Sequence, residues 1–217
     1  GRESLDCAVA LQTLIEKGVS NIITFDVHDS NVQNAIPCSS FDNFYPTNII
    51  LENFIKNEKV NNDNLLAVSP DNGAIKRTNF YANMLGCELG GHFEKQRDVY
   101  RVVDGKNPIL KHEYIGKDVK GKDIIIVDDM IASGESMIDV ARELKKRGAQ
   151  KIYLMSAYSL FTKGLEVFDE AYKDGLFTKL YTTNLSYVSD EALSRPWICQ
   201  ADCSEYVAKI IWTFYQG

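Results

Sequence analysis

The sequence predicts an α/β chain built on a mainly parallel sheet flanked by helices, and three observations carry that expectation. Short runs of apolar or β-favouring residues recur at Ile22–Phe25, Leu65–Val68, Ile124–Val127, Ile152–Ala157 and Leu180–Thr183. Runs too apolar to alternate belong to strands covered on both faces. Amphipathic segments of helical length lie between them, and connections of that kind make right-handed βαβ crossovers rather than hairpins.

Taken in order, residues 2–17 place Leu5, Ala8, Val9 and Ile15 on one helical face, with Gly18 as the C-terminal cap. Strand Ile22–Phe25 follows and stops at the polar stretch Asp26-Val27-His28-Asp29. Strand Leu65–Val68 leads to a helix around Lys76–Met84, and strand Ile124–Val127 leads to helix Ser136–Arg147, which Gly148 caps. Strand Ile152–Ala157, helix Leu165–Tyr172 and strand Leu180–Thr183 continue the alternation. From Trp197 to Tyr215 the pattern reads as a short strand and then a helix with Val207, Ile210, Ile211 and Phe214 on one side. Between about Phe93 and Lys122 the alternation breaks into a charged stretch that contains Asp104-Gly105-Lys106-Asn107-Pro108, and this predicts a long hairpin or mobile flap.

At 217 residues, 45% hydrophobic and 25% charged, the chain has material for one ample core or two modest ones. No apolar run approaches the roughly 20 residues that span a bilayer, so no membrane segment is expected. A net charge of -6 without a clustered Lys/Arg patch argues against nucleic acid as a partner. The five cysteines, Cys7, Cys38, Cys87, Cys199 and Cys203, are odd in number and scattered, which suits reduced cytoplasmic thiols better than a disulfide framework. Cys199 and Cys203 are close in sequence, but no second Cys or His cluster accompanies them, so buried thiols are expected rather than zinc.

The stretch Asp128-Asp129-Met130-Ile131-Ala132-Ser133-Gly134-Glu135-Ser136 carries the clearest chemistry. A strand runs into two acids, then a small-residue turn, then a helix. Successive backbone N–H groups in such a turn form an anion-binding nest that the helix dipole reinforces, and the hydroxyls of Ser133 and Ser136 add donors for a phosphate. The acids suit sugar hydroxyls or a divalent cation. Acids followed by a phosphate nest therefore point to a phosphorylated sugar.

This loop resembles the PRPP-binding motif of type I phosphoribosyltransferases and of ribose-phosphate diphosphokinases, the PRPP synthetases. In the synthetases the turn usually reads Asp-Thr-Gly-Gly-Thr, where this chain has Ala132, Ser133, Gly134, Glu135 and Ser136. Ser for Thr keeps the hydroxyls, Ala132 removes a carboxylate, and Glu135 must point outward if the nest is to hold phosphate. Three further stretches resemble the synthetases specifically: Phe25-Asp26-Val27-His28; Ser69-Pro70-Asp71-Asn72-Gly73 followed by Lys76-Arg77; and Glu94-Lys95-Gln96-Arg97 at the entrance to the flap. By residue type alone, His28 reads as a structural histidine, Asp71 as a turn former and the flap cations as solvated. The resemblance implies more: His28 and Asp71 help hold Mg²⁺, and Lys95 and Arg97 stabilise a transferring diphosphoryl group.

What the resemblance implies for the whole is a type I phosphoribosyltransferase-like fold with part of a second, similar domain. Residues 1–37 are expected to belong to an N-terminal domain, 38–185 to a C-terminal domain carrying the ribose-5-phosphate loop, and 186–217 to a strand and helix packing back on the N-terminal portion. The implied reaction transfers diphosphate from Mg-ATP to ribose 5-phosphate, giving PRPP and AMP, in a cytoplasmic homo-oligomer. The resemblance starts well inside a synthetase chain, so much of the ATP site is expected upstream of Gly1 and these 217 residues alone are expected to turn over little. Two alternatives stand beside it: a salvage phosphoribosyltransferase, and a non-catalytic regulatory subunit that keeps the fold.

Overall fold

The computed structural model describes residues 5–97 and 109–216, with the backbone alone for 95–97 and 109–112. The chain divides into two compact units, Gly1–Pro46 and Thr47–Gly217.

In the first unit, helix α1 (Asp6–Glu16) precedes strand β1 (Asn21–Phe25), a 3-10 helix over Ser30–Ala35 and strand β2 (Ser40–Phe44). β1 and β2 pair in parallel, from Asn21 opposite Ser40 to Phe25 opposite Phe44. Ser40–Phe44, expected with the following domain, pair instead with β1. β2 was not expected, because Ser40-Phe41-Asp42-Asn43-Phe44 is as polar as a loop. The core of this unit is Leu11, Ile22 and Ile36, with Ile15, Val32 and Phe41 packed against it. The inward face of α1 is therefore the Leu11/Ile15 face, and the expectation that Leu5 and Val9 would be its apolar face is corrected: they are 75% and 56% exposed.

In the second unit, helix α2 (Thr47–Asn57), strand β3 (Leu65–Ser69), helix α3 (Ile75–Leu85) and strand β4 (Glu88–Arg97) come first. Strands β5 (Ile109–Gly116) and β6 (Asp123–Ile131), helix α4 (Glu135–Lys146), strand β7 (Ile152–Ser159) and helix α5 (Glu166–Lys173) follow. Strand β8 (Lys179–Thr183), helix α6 (Asp190–Leu193), strand β9 (Ile198–Ala201) and helix α7 (Ser204–Gln216) complete it. The sheet has seven strands in the order β5-β4-β3-β6-β7-β8-β9. Every pairing is parallel except β4 with β5.

Apolar residues pack on both faces of the sheet, which is why its strands do not alternate in sequence. Ile124 and Ile126 of β6 join Ile138, Leu144 and Phe168 from α4 and α5 on one face. Ile125 and Val127 join Ile50, Phe54, Tyr81 and Leu85 from α2 and α3 on the other. The hairpin expected between about Phe93 and Lys122 has β4 and β5 as its arms, while residues 98–108, its expected tip, lie outside the described residues.

From β3 the chain moves outward to β4 and β5, then returns to β6 and winds the other way through β7, β8 and β9. The direction reverses between β3 and β6. Ligands of open α/β sheets bind at such a switch point, beyond the carboxyl ends of the strands.

Candidate functional site

The carboxyl ends of β3 and β6 lie side by side, since Val68 pairs with Ile126. Each carries acid. β6 continues past Val127 through both aspartates to Ile131, because its register with β7 persists as far as Ile131 opposite Ser159. This keeps the acids on rigid backbone. The Asp128 carboxylate accepts from the backbone N–H of Asp129 at 2.9 Å, and that of Asp129 accepts from the N–H of Met130 at 2.9 Å. Asp129 is only 5% exposed.

After β3 the chain turns through Pro70-Asp71-Asn72-Gly73 into α3. Asp71 caps this turn: its Oδ1 accepts from the N–H of Ala74 at 3.1 Å, and its carbonyl accepts from the buried Ser69 hydroxyl at 2.6 Å. Burial first, then the neighbouring Asp129 and, least, Asp71 together push the Asp128 carboxyl up to about 7. The acids are thus electrostatic neighbours. Arg77 on α3 reaches toward them, with Nη2 3.9 Å from Asp129 Oδ2. Its signal in the sequence was its place one turn beyond the Asp71 turn, where no role had been assigned to it.

Beyond β6, Gly134 occupies left-handed backbone at φ +82 and begins α4, whose Ile138 N–H bonds to the Gly134 carbonyl at 3.0 Å. A Cβ at this position would run into the ring of Phe168. Glycine is therefore required both for the bend and for the close approach. The turn is braced by the loop after β7, where Leu160 N–H bonds to the Ile131 carbonyl at 2.8 Å and Thr162 N–H to the Ala132 carbonyl at 2.9 Å. Ser133 is half-buried, while Ala132, Glu135 and Ser136 are exposed. Glu135 pairs with Lys163, whose Nζ lies 2.9 and 3.0 Å from its two carboxylate oxygens. Lys163 was not singled out from the sequence, because it is distant from Glu135 along the chain and matches no motif.

The remaining expected residues fall elsewhere. Lys95 and Arg97 lie in the outer part of β4, where only the backbone is described. His28 belongs to the first unit, on an exposed bend after β1. Just before it, the buried Asp26 adopts a left-handed φ of +46, uncommon for a residue with a side chain. Among the described residues no group of three or more His, Cys, Asp or Glu is arranged to hold a metal.

A mainly parallel α/β sheet with two acids ending one strand and a glycine-bent helix start just beyond, at the switch point, places the chain among α/β proteins whose strand ends and helix start are suited to an anionic ligand. The chain belongs to the phosphoribosyl transferase domain family, whose sequence pattern matches residues 48–185. It is similar to the ribose-phosphate pyrophosphokinase of Synechococcus elongatus, 24% identical over 216 residues, which cover 100% of this chain and 61% of that protein. The ribose-phosphate pyrophosphokinase of Ralstonia nicotianae is 31% identical over 163 residues, 75% of this chain and 48% of that protein. The crystal structure of phosphoribosylpyrophosphate synthetase from Mycobacterium smegmatis superposes with a TM-score of 0.77 at 20% identity, covering 100% of this chain and 66% of that one. The fold is thus PRPP-synthetase-like, of the type I phosphoribosyltransferase kind. The chain spans about three-fifths of the length of such curated relatives.

Proposed function

We propose that this chain carries the ribose-5-phosphate half of a ribose-phosphate diphosphokinase, which moves diphosphate from Mg-ATP to the anomeric hydroxyl of ribose 5-phosphate and yields PRPP and AMP. The observation that carries the reading is the placement of Asp128 and Asp129 on rigid strand immediately before the Gly134 turn. That order sets acceptors for ribose hydroxyls next to donors for the 5-phosphate. In this reading the backbone N–H groups over 132–136, with the hydroxyls of Ser133 and Ser136, hold the phosphate. Asp128 and Asp129 accept from the ribose hydroxyls and so orient the anomeric oxygen toward the diphosphoryl donor. Arg77 stays beside Asp129, where it stabilises the ionised form.

The donor set fits a hard cation. Asp128 is crowded by Asp129 and Asp71, so positive charge there would relieve repulsion. Mg²⁺ generally takes one or two carboxylates and completes its shell with water and substrate phosphates, so it needs no closed protein cage. Asp71 is the proposed ligand in the second unit, and His28 keeps the metal role that its resemblance to the synthetase segment implies. When bound, the cation would neutralise phosphate charge during transfer. Lys95 and Arg97 are assigned the same electrostatic task from the hairpin. A cytoplasmic homo-oligomer is proposed as well, from what the resemblance of the sequence motifs implies.

Calorimetric titration with ribose 5-phosphate in Mg²⁺ tests the reading. The chain should bind ribose 5-phosphate, free ribose should bind far more weakly, and Asp129→Asn should cost roughly tenfold or more in affinity. Equal binding of ribose and its phosphate would refute it. Diphosphate release from PRPP with a nucleobase would favour the salvage transferase instead. Little AMP formation is expected from these 217 residues, which span about three-fifths of the length of the curated relatives.

A further inference from the structure

Glu135 sits at the first position of α4, beside the turn assigned to phosphate, and its carboxylate lies 3.4 Å from the Ser133 hydroxyl. A negative side chain there works against an anionic ligand. It also competes for a donor that the ligand would use. Lys163 meets this carboxylate at 2.9 and 3.0 Å, so both of its oxygens are engaged. An exposed pair of this kind adds little to folding, and stability does not explain it.

The loop that presents Lys163 is firmly held. Two backbone bonds tie it to the phosphate turn, and Gly164 N–H closes it onto the Phe161 carbonyl at 2.9 Å. Phe161 takes a left-handed φ of +47, and its ring packs edge-on against Phe168 at 5.2 Å and Trp197 at 5.9 Å. A bulky residue adopts such backbone only where its surroundings enforce it. Phe168 is also the ring that fills the space beside Gly134. One aromatic cluster therefore fixes both the phosphate turn and the loop bearing its neighbouring cation.

We infer that Lys163 is a positioning residue of the sugar-phosphate site: it holds the Glu135 carboxylate to the β7–α5 loop and so leaves the 132–136 turn electropositive. The inference rests on reading that turn as a phosphate cradle. Lys163 acts through Glu135, not on the ligand. Its loss should matter only while the carboxylate is present.

A double-mutant cycle separates these roles, with affinity for ribose 5-phosphate and for inorganic phosphate measured by calorimetry in wild type, Lys163→Gln, Glu135→Gln and the double variant. Lys163→Gln should weaken both ligands roughly tenfold, as expected for one uncompensated charge near a phosphate in partly screened surroundings. In the Glu135→Gln background the same change should cost less than about twofold, and Lys163→Arg should retain wild-type affinity. Melting temperatures should stay within about 2 °C, since the pair is exposed. The inference is overturned if Lys163→Gln has no effect, or if its cost is the same in both backgrounds, which would mean direct contact with the anion. Should wild type and every variant bind neither ligand, the cradle reading fails instead, an outcome distinct from the other two.

Discussion

At the scale of single residues, the most informative group is Asp128, because its environment opposes its charge. Its carboxyl has an ordinary value of 3.8 and is pushed up to about 7 by burial, then by Asp129 and Asp71. Between those values the folded chain holds a proton that the unfolded chain has released. Stability from this group is therefore fully present below the ordinary 3.8 and is lost progressively as pH rises from there through about 7. In chelator-treated protein, Asp128→Asn should raise stability at pH 8, on the order of 1–3 kcal/mol or more, and change it little at about pH 3.5, below the ordinary value of the carboxyl. Denaturant melts of both proteins at the two pH values check this. Loss of stability in the variant at pH 8 would show that the ionised carboxylate is paired, not crowded. The crowding is what a site that receives hydroxyl donors and a cation should show before they arrive.

At the scale of elements, α2 shows what a sequence pattern hides. Ile50, Leu51 and Phe54 are buried, but Asn48, Asn53 and Asn57 dilute the periodicity, and no helix was expected there. Phe54 is fully buried and meets Tyr153 and Tyr181 edge-on at 5.0 and 5.3 Å. Both phenols donate to Glu58 just past the end of the helix, at 3.1 and 2.9 Å. Phe54→Ala should cost about 3–5 kcal/mol, as a cavity opens under a polar cluster that cannot collapse into it. A thermal melt that shifts by less than a few degrees would contradict that packing. By contrast, β3, β6, β7 and β8 were legible because burial on both faces forces continuous apolar runs. β6 was read as ending at Val127, yet pairing with β7 carries it to Ile131, so the acids stand on strand and not in a loop. The loop 128–136 was legible as a linear motif. Arg77 and Lys163 were not, because only the fold brings them to it.

At the scale of the molecule, the two units differ sharply in what holds them. The second has a seven-stranded sheet with apolar cores on both faces. Among its described residues the first has two strands, one α-helix, one 3-10 helix and a buried cluster of Leu11, Ile22 and Ile36. Two-stranded sheets are marginal in water, and a unit of this size buries too small a fraction of its surface to be robust. Local opening should therefore cost far less in the first unit. Hydrogen exchange read by mass spectrometry on the intact chain should show peptides of β1 and β2 exchanging at least about 100-fold faster than those of β6 and β7, a gap of roughly 3 kcal/mol. Binding of ribose 5-phosphate should slow exchange around 128–136 while leaving α1 unchanged, since the proposed contacts belong to the second unit. Equal protection of β1 and β6 would show that the first unit draws its stability from more than its own core. In that case His28, which stands on the bend after β1, would be held more rigidly than the small cluster beneath it can explain.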